Sequence, residues 1–398
     1  MKRLFCLIGL PCLLVLLMQF SAYPYLFCYF FNFPSESIMI FAFTGVFLLY
    51  YLNIKGKSEY VNPKIGGIML SQAIVWFFYF LFHNDSSYLV RILLILESYL
   101  VIQVLSKKDV LLKFARIYNW SLLIQGVCGV IAFFLLFMGL IHPIAEYYFT
   151  QDRYELCYLL TCSNTVYGNF MRIGGYFDEP GALAFWGMFA LVINKLTYDS
   201  KFIEYCLICS LLFTFSAAFF VLVPIYLLFF YHNHLRKFFL VLLLGFPIFY
   251  MTYNYLSTSD DVAVYTTERF KDGTINSTRF EQGEIAKKLF LQSPIIGNGA
   301  TEISVKHRNA EENPYEILAK DGIVGFVFTY LPLLFLVIKY RRDKIAMYSV
   351  LLLATDYLQR PFHINQMHFF MLYFFCTIVI IRNRYPQYYD SQLQKSLQ

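Results

Sequence analysis

Charge is scarce in this chain: Asp, Glu, Lys and Arg together make up 15% of its 398 residues, where a soluble domain carries about a quarter. In their place stand 59% hydrophobic residues, among them 44 Phe and 33 Tyr. That much apolar surface exceeds what a soluble core can take in. The nine cysteines show no spacing that suits a metal. Cys6, Cys12, Cys128, Cys206, Cys209 and Cys376 sit in apolar runs, where a thiol acts as a small hydrophobe. Repeats, low-complexity tracts and a separate soluble domain are missing too. The net charge of +6 is spread along the chain rather than gathered on one face, so nucleic acid is not an expected partner.

Long hydrophobic runs fill the space that charge vacates. A hydrocarbon core about 30 Å thick takes roughly 20 apolar residues per helix. Such runs lie near 4–22, 37–52, 65–82, 88–105, 114–141, 181–194, 202–214, 217–231, 237–256, 323–338, 345–359 and 366–381. The expectation is an all-α integral membrane protein, a single polytopic domain over 1–398 with about twelve transmembrane helices in the lipid bilayer. The first run, after Met1-Lys2-Arg3, is long for the core of a signal peptide and is expected to remain as a span. The stretch 202–231 is read as a helical hairpin broken at Ser216-Ala217-Ala218.

Basic residues set the expected topology. They cluster at Lys2/Arg3, Lys55/Lys57/Lys64, Lys107/Lys108/Lys113/Arg116, Lys195/Lys201, Arg236/Lys237, Lys339/Arg341/Arg342/Lys344 and Arg382/Arg384, whereas 23–36 and 83–87 contain none. Because Lys and Arg in short loops favour the cytoplasm, both termini are expected there. Two long polar segments, 142–180 and 257–322, are then expected on the outer side. Cys157 and Cys162 lie in the first, where an oxidising compartment permits a disulfide. The second is expected to hold short helices. Thr278-x-x-Glu281 is a capping box opening an amphipathic surface helix, with Phe280, Ile285, Leu289 and Phe290 on one face and Pro294 and Gly297 as stops. Asn313 can cap a further helix that has Pro314 and Glu316 in its first turn and Gly322 at its end.

The outer segments also concentrate the residues that can do chemistry. Residues 171–182 set Arg172, Asp178 and Glu179 among glycines immediately before a span, and glycine lets main chain approach a ligand closely. The same stretch also reads as a polar turn with Glu179 beside the positive end of a helix. The second segment supplies Arg279, the turn 294–299, His307, Glu311, Glu312 and Asn313. A third patch, Arg360-Pro361-Phe362-His363, lies between the last two spans, where an arginine can also simply snorkel to the interface. Asp260-Asp261 is read as a solvated turn. No metal or other cofactor is expected.

In order along the chain come Arg-x-x-Gly-x-Phe-x-Glu-Pro at 172–180, Arg279 opening a helix, Pro-x-x-Gly-x-Gly at 294–299, and a helix from Asn313 ending in Gly-hydrophobic-hydrophobic-Gly at Gly322 and Gly325. This series resembles the bacterial O-antigen polymerase and ligase superfamily, mainly over 170–330. The resemblance implies a GT-C-like, lipid-carrier-dependent glycosyltransferase on the outer face of the bacterial inner membrane. Its substrate would be undecaprenyl-diphosphate-linked oligosaccharide, and a polysaccharide chain-length regulator is an implied partner. Guanidinium groups suit a departing diphosphate, so Arg172, Arg279 and Arg360 are the candidates to hold it. The proton acceptor is left open among Glu179, Glu312 and His307, with Asp178, Asn313 and His363 in support. Ligase-like members often carry His directly before the Asn, where this chain has Glu312. That difference favours a polymerase over a ligase that transfers finished glycan to lipid A core. A flippase or transporter would place polar groups inside its spans, and the spans here are nearly free of charge, with Arg91 and Glu97 standing inside one of them.

Overall fold

The structure, a computed structural model, describes residues 63–105, 110–150, 153–158, 160–177, 179–232, 278–311, 313–359 and 366–384, with positions 9, 12 and 15. The spans expected near 37–52 and 237–256, and all but three positions of the one near 4–22, lie outside the described residues. The protein is mostly helical. Its helices are α1 (Pro63–His83), α2 (Ser87–Leu105), α3 (Val110–Phe137), α4 (Pro180–Leu196), α5 (Lys201–Leu212), α6 (Ala217–Tyr231), α7 (Thr278–Gln292), α8 (Ala300–Lys306), α9 (Glu316–Thr329), α10 (Leu331–Tyr340), α11 (Lys344–Gln359) and α12 (Gln366–Arg384). A chain this poor in polar side chains satisfies its main-chain N–H and C=O groups best within helices. Ile65–His83, Val110–Phe137 and Glu316–Tyr340 are long and apolar enough to cross a membrane, and Pro180–Leu196, Ala217–Tyr231 and His368–Asn383 are shorter apolar helices.

The first polar segment departs from the all-α expectation. Strands β1 (Ala145–Thr150), β2 (Arg153–Cys157) and β3 (Cys162–Ser163) form one antiparallel sheet, and β4 (Val166–Tyr167) with β5 (Phe170–Met171) forms a second. The segment is rich in Tyr, Phe and Thr, which suit a pleated strand. Outside a helix its main-chain groups also need partners of their own.

At the centre stands α4, buried at every position except Lys195 and packed against α3, α5, α6, α11 and α12. A helix apolar all round belongs in such a place. The stretch 202–231 is a hairpin as expected, with α5 and α6 meeting at a tight turn in which Phe215 takes a φ of +46°. That conformation is unfavourable for a bulky side chain. The turn is held in an aromatic cluster, with the Phe215 ring 5.3 Å from that of Phe170 and the Phe213 ring 5.1 Å from that of Phe133.

Two expectations for the second polar segment need correction. On α7 the buried residues are Gly283, Ala286 and Leu289, while Ile285 is exposed; Phe280 is not among the described side chains. Small residues at that spacing let α7 lie close to α9, and Ala286 and Leu289 share a core with Ile303, Ala310 and Ala319. Gly322 does not end a helix but kinks one: it takes φ 64°, ψ −169° inside α9, and the helix resumes at once.

Candidate functional site

The segment carrying Arg172 and Glu179 lies across the tip of the α5–α6 hairpin. The Arg172 N–H donates to the Thr165 carbonyl (3.0 Å) and its Nε to that of Thr214 (2.9 Å), while the Ile173 N–H donates to that of Phe213 (3.1 Å). The next two residues pair with β3: the Gly174 N–H donates to the Cys162 carbonyl (3.0 Å) and the Cys162 N–H to that of Gly175 (2.6 Å). From α3, the Gln125 Oε1 accepts the Tyr176 N–H at 3.2 Å. Gly175 takes a φ of +63°, and a Cβ there would stand 2.9 Å from that same oxygen, so both conformation and space demand glycine. Burial pushes the Tyr176 phenol above its usual range.

Glu179 occupies the cap position of α4 in extended conformation, and its carbonyl accepts the Ala182 N–H at 3.0 Å. Its side chain makes no capping hydrogen bond. The residue is therefore partly buried at the positive end of the central helix without serving as its side-chain cap.

The second segment is joined to α9 main chain to main chain. The Ile323 and Val324 N–H groups donate to the Pro294 and Ile295 carbonyls (2.9 and 3.1 Å), and those of Asn298 and Gly299 donate to Ala319 and Lys320 (3.0 and 2.9 Å). The kink at Gly322 frees the α9 groups for this seam. A Cβ on Gly297 would collide with the Lys320 carbonyl, and one on Gly322 with that of Ile295.

Next to the seam, Asp321 faces α1 and α2. Its Oδ1 accepts the Tyr88 hydroxyl (2.9 Å), its Oδ2 accepts Arg91 Nη1 (2.7 Å), and its main-chain carbonyl accepts the Tyr79 hydroxyl (2.6 Å). The Arg91 and Asp321 side chains are both 0% exposed. The guanidinium carbon lies 4.7 Å from the ring centres of both Trp76 and Tyr88, which stack on each other, so an aromatic pair beside it stands in for part of its lost hydration. In the 83–87 turn, Asp85 accepts the Thr301 N–H and hydroxyl, each at 2.7 Å.

The remaining candidates vary in what they do. Asn313 is fully buried and acts as a turn holder: its Nδ2 donates to the Ala310 and Glu311 carbonyls (2.7 and 3.2 Å), and its Oδ1 accepts the Tyr315 N–H (2.9 Å). His307 ends α8, partly buried, its carbonyl accepting the Ala310 N–H at 2.7 Å. Arg279 falls on the first turn of α7. Asp178, Glu312, Arg360 and His363 lie outside the described residues. Arg172 and Glu179 thus share one segment on α3–α6, whereas His307 and Asn313 belong to the other, seated on α1, α2 and α9.

Glu311, named among the polar loop residues, joins a buried cluster. Its Oε1 accepts Lys320 Nζ at 2.7 Å and the Ser304 hydroxyl at 2.6 Å, and Lys320, 2% exposed, reaches Glu316 at 2.8 Å. Burial alone would push the Glu311 carboxyl up, but the bonds from Lys320 and Ser304 outweigh it and hold it below its usual range. Asp85 is likewise raised by burial and lowered further by Thr301 and Ser87, with a net depression. A depressed folded pKa contributes stability that is complete above the unfolded value and is lost as pH falls through the folded one. Hydrogen-exchange protection in α7–α8 is therefore expected to be high at neutral pH and to fall below about pH 4. Unchanged protection down to about pH 2 would contradict these carboxylate roles.

No family model, curated protein or solved structure matches this chain. The functional reading therefore rests on its residues. The sequence reading passed over Asp321 and Lys320. A usable signal was Arg91 itself, since a cation inside one apolar helix calls for an acid from another.

Proposed function

We propose that this chain is an O-antigen polymerase-like glycosyltransferase, joining undecaprenyl-diphosphate-linked oligosaccharide repeats into a surface polysaccharide at the outer face of the bacterial inner membrane. The observation that carries this reading is the attachment of the Arg172–Glu179 segment. Main-chain bonds and the Arg172 Nε bond to the Thr214 carbonyl fix it between a hairpin tip and the head of α4, which is buried at all but one position. A guanidinium and a carboxylate are thereby held at the end of an apolar bundle, where lipid-linked substrate would arrive.

In this reading the protein has about twelve spans in a GT-C-like arrangement, with both termini cytoplasmic. The turns at 83–87 and 213–216 and the seam at 294–299 then face outward. The opposite helix ends carry ion pairs of their own. Lys195 meets Asp199 at 2.8 Å, Lys201 meets Glu204 at 3.1 Å, and Arg382 meets Asp343 at 3.3 Å. That polarity agrees with basic residues on the cytoplasmic side.

The chemistry is a displacement at the anomeric carbon of the growing chain. A hydroxyl of the incoming repeat forms the new C–O bond, the bond to undecaprenyl diphosphate breaks, and the diphosphate leaves with the electron pair. Arg172, Arg279 and Arg360 would hold that anion, since guanidinium stays charged and binds phosphate oxygens in pairs. The hydroxyl proton goes to one of Glu179, Glu312 or His307. Glu179 is favoured because it is partly buried at the head of α4, on the same segment as Arg172. Asp178 and His363 are supporting groups, and Asn313 supports indirectly by holding the 310–315 turn.

The test is a glycan ladder from a deletion strain complemented with wild type, Arg172→Ala or Arg279→Ala, at matched membrane levels. Wild type is expected to restore a ladder of repeats and each arginine variant to leave mainly single-repeat glycan, a loss of at least about tenfold in polymer. If the deletion removes all capped glycan, the protein is a ligase; if both variants match wild type, the proposed diphosphate site is wrong.

A further inference from the structure

Cys157 and Cys162 face each other across β2 and β3 as a directly opposed antiparallel pair. Their main-chain groups point away from one another. The Cys157 carbonyl accepts the Ile144 N–H from the β1 side at 2.8 Å, while Cys162 turns its N–H and carbonyl to Gly175 and Gly174. This makes them a non-hydrogen-bonded pair, the kind in which Cα atoms approach to about 4.5 Å. That separation lies inside the window of roughly 4.4–6.8 Å that a disulfide can bridge. The two Sγ atoms already stand 3.1 Å apart, and both residues are buried.

We propose that Cys157 and Cys162 form a disulfide in the mature protein, and that this bridge is a positioning element for the Arg172–Glu179 segment. The proposal rests on the outer placement of residues 142–180 in the reading above. In forming it, the two thiols lose two protons and two electrons to a protein disulfide of the oxidising compartment, which is reduced to a dithiol. Exchange proceeds through a mixed disulfide with one thiol, which the second then displaces. The connection to the site is direct. Cys162 holds Gly174 and Gly175 through its own N–H and carbonyl, so tying it to β2 fixes the strand from which the glycine-rich segment hangs. The bridge would also cross-link the sheet next to the Thr161 hydroxyl, which accepts the Gly175 N–H at 2.9 Å.

The experiment counts thiols in the full-length wild-type protein, taken from membranes under acid quench, denatured and treated with a polyethylene-glycol maleimide before and after reductant. The expected result is two fewer adducts before reduction than after, with the difference abolished in Cys157→Ser plus Cys162→Ser. Equal adduct numbers before and after reduction overturn the proposal. A second arm separates this from the topology on which it rests. Asn169, exposed in the turn between β4 and β5, is changed to Cys, and intact cells are treated with a membrane-impermeant maleimide. Labelling beyond the wild-type level, together with free thiols at 157 and 162, sinks the disulfide and leaves the outer placement standing. Labelling only after permeabilisation, together with free thiols at 157 and 162, sinks both.

Discussion

Asp321→Ala should leave little folded protein, with a stability loss of about 3–5 kcal/mol. The substitution removes the carboxylate from a pair that is wholly buried, and leaves Arg91 against Trp76 and Tyr88 with the through-space attraction of Asp85 in place of an ion pair. It also takes the acceptor from the Tyr88 hydroxyl. A double substitution, Arg91→Met with Asp321→Leu, removes both charges and should recover most of the loss, because well-packed apolar replacements of buried ion pairs are often neutral or better. Thermal unfolding in detergent, with folded yield from membranes, reads both outcomes. An Asp321→Ala protein as stable as wild type would show that the pair does not hold the fold.

Gly322→Ala should be nearly as severe, for a different reason. Its backbone, φ 64° and ψ −169°, lies in a region that is essentially reserved for glycine and costs other residues of order 1–3 kcal/mol. The new methyl would also collide with the Ile295 carbonyl, so the seam has to part to admit it. Gly297→Ala, at φ +73° and against the Lys320 carbonyl, attacks the same seam from the opposite side. Gly67→Ala is the control: it lies in α1 with nothing within 4 Å of where the added methyl would stand, and there alanine is the better helix former by about 1 kcal/mol. The two seam variants should melt earlier and the control should not. Equal melting of all the variants would place the stabilising contacts elsewhere.

Hydropathy and turn chemistry read much of this fold, because the expected spans inside the described residues fall on helices, the one near 323–338 being divided between α9 and α10. The split at Ser216 was legible from charge phase alone, and the structure supplies its local cause in the left-handed Phe215. The seam was half legible: Pro294, Gly297, Gly299 and Gly322 stood out as punctuation, but nothing in a linear pattern says that two glycines meet across space. Arg91 was visible as a lone charge, whereas its partner lay in a stretch read as a helix end. The strands of 145–171 were missed because hydrophobic alternation is weak in strands of two residues such as β3 to β5. At the site, Arg172 and Glu179 were chosen for their chemistry. The segment's attachment to the hairpin tip and to β3 runs largely through main-chain hydrogen bonds, to which side-chain identity is almost blind, with the Arg172 Nε bond to Thr214 a side-chain exception.

The main-chain seam makes α7, α8 and the first half of α9 a single lever. A load applied to α7 reaches α9 through peptide groups, with no side-chain rotamer free to absorb it. The Arg91–Asp321 pair sits beside the kink as the pivot. Such a lever transmits rocking and resists stretching, so a molecule seated under α7 would be felt as a tilt of α9 against α1 and α2, and an elastic lid is not what this part of the chain can be.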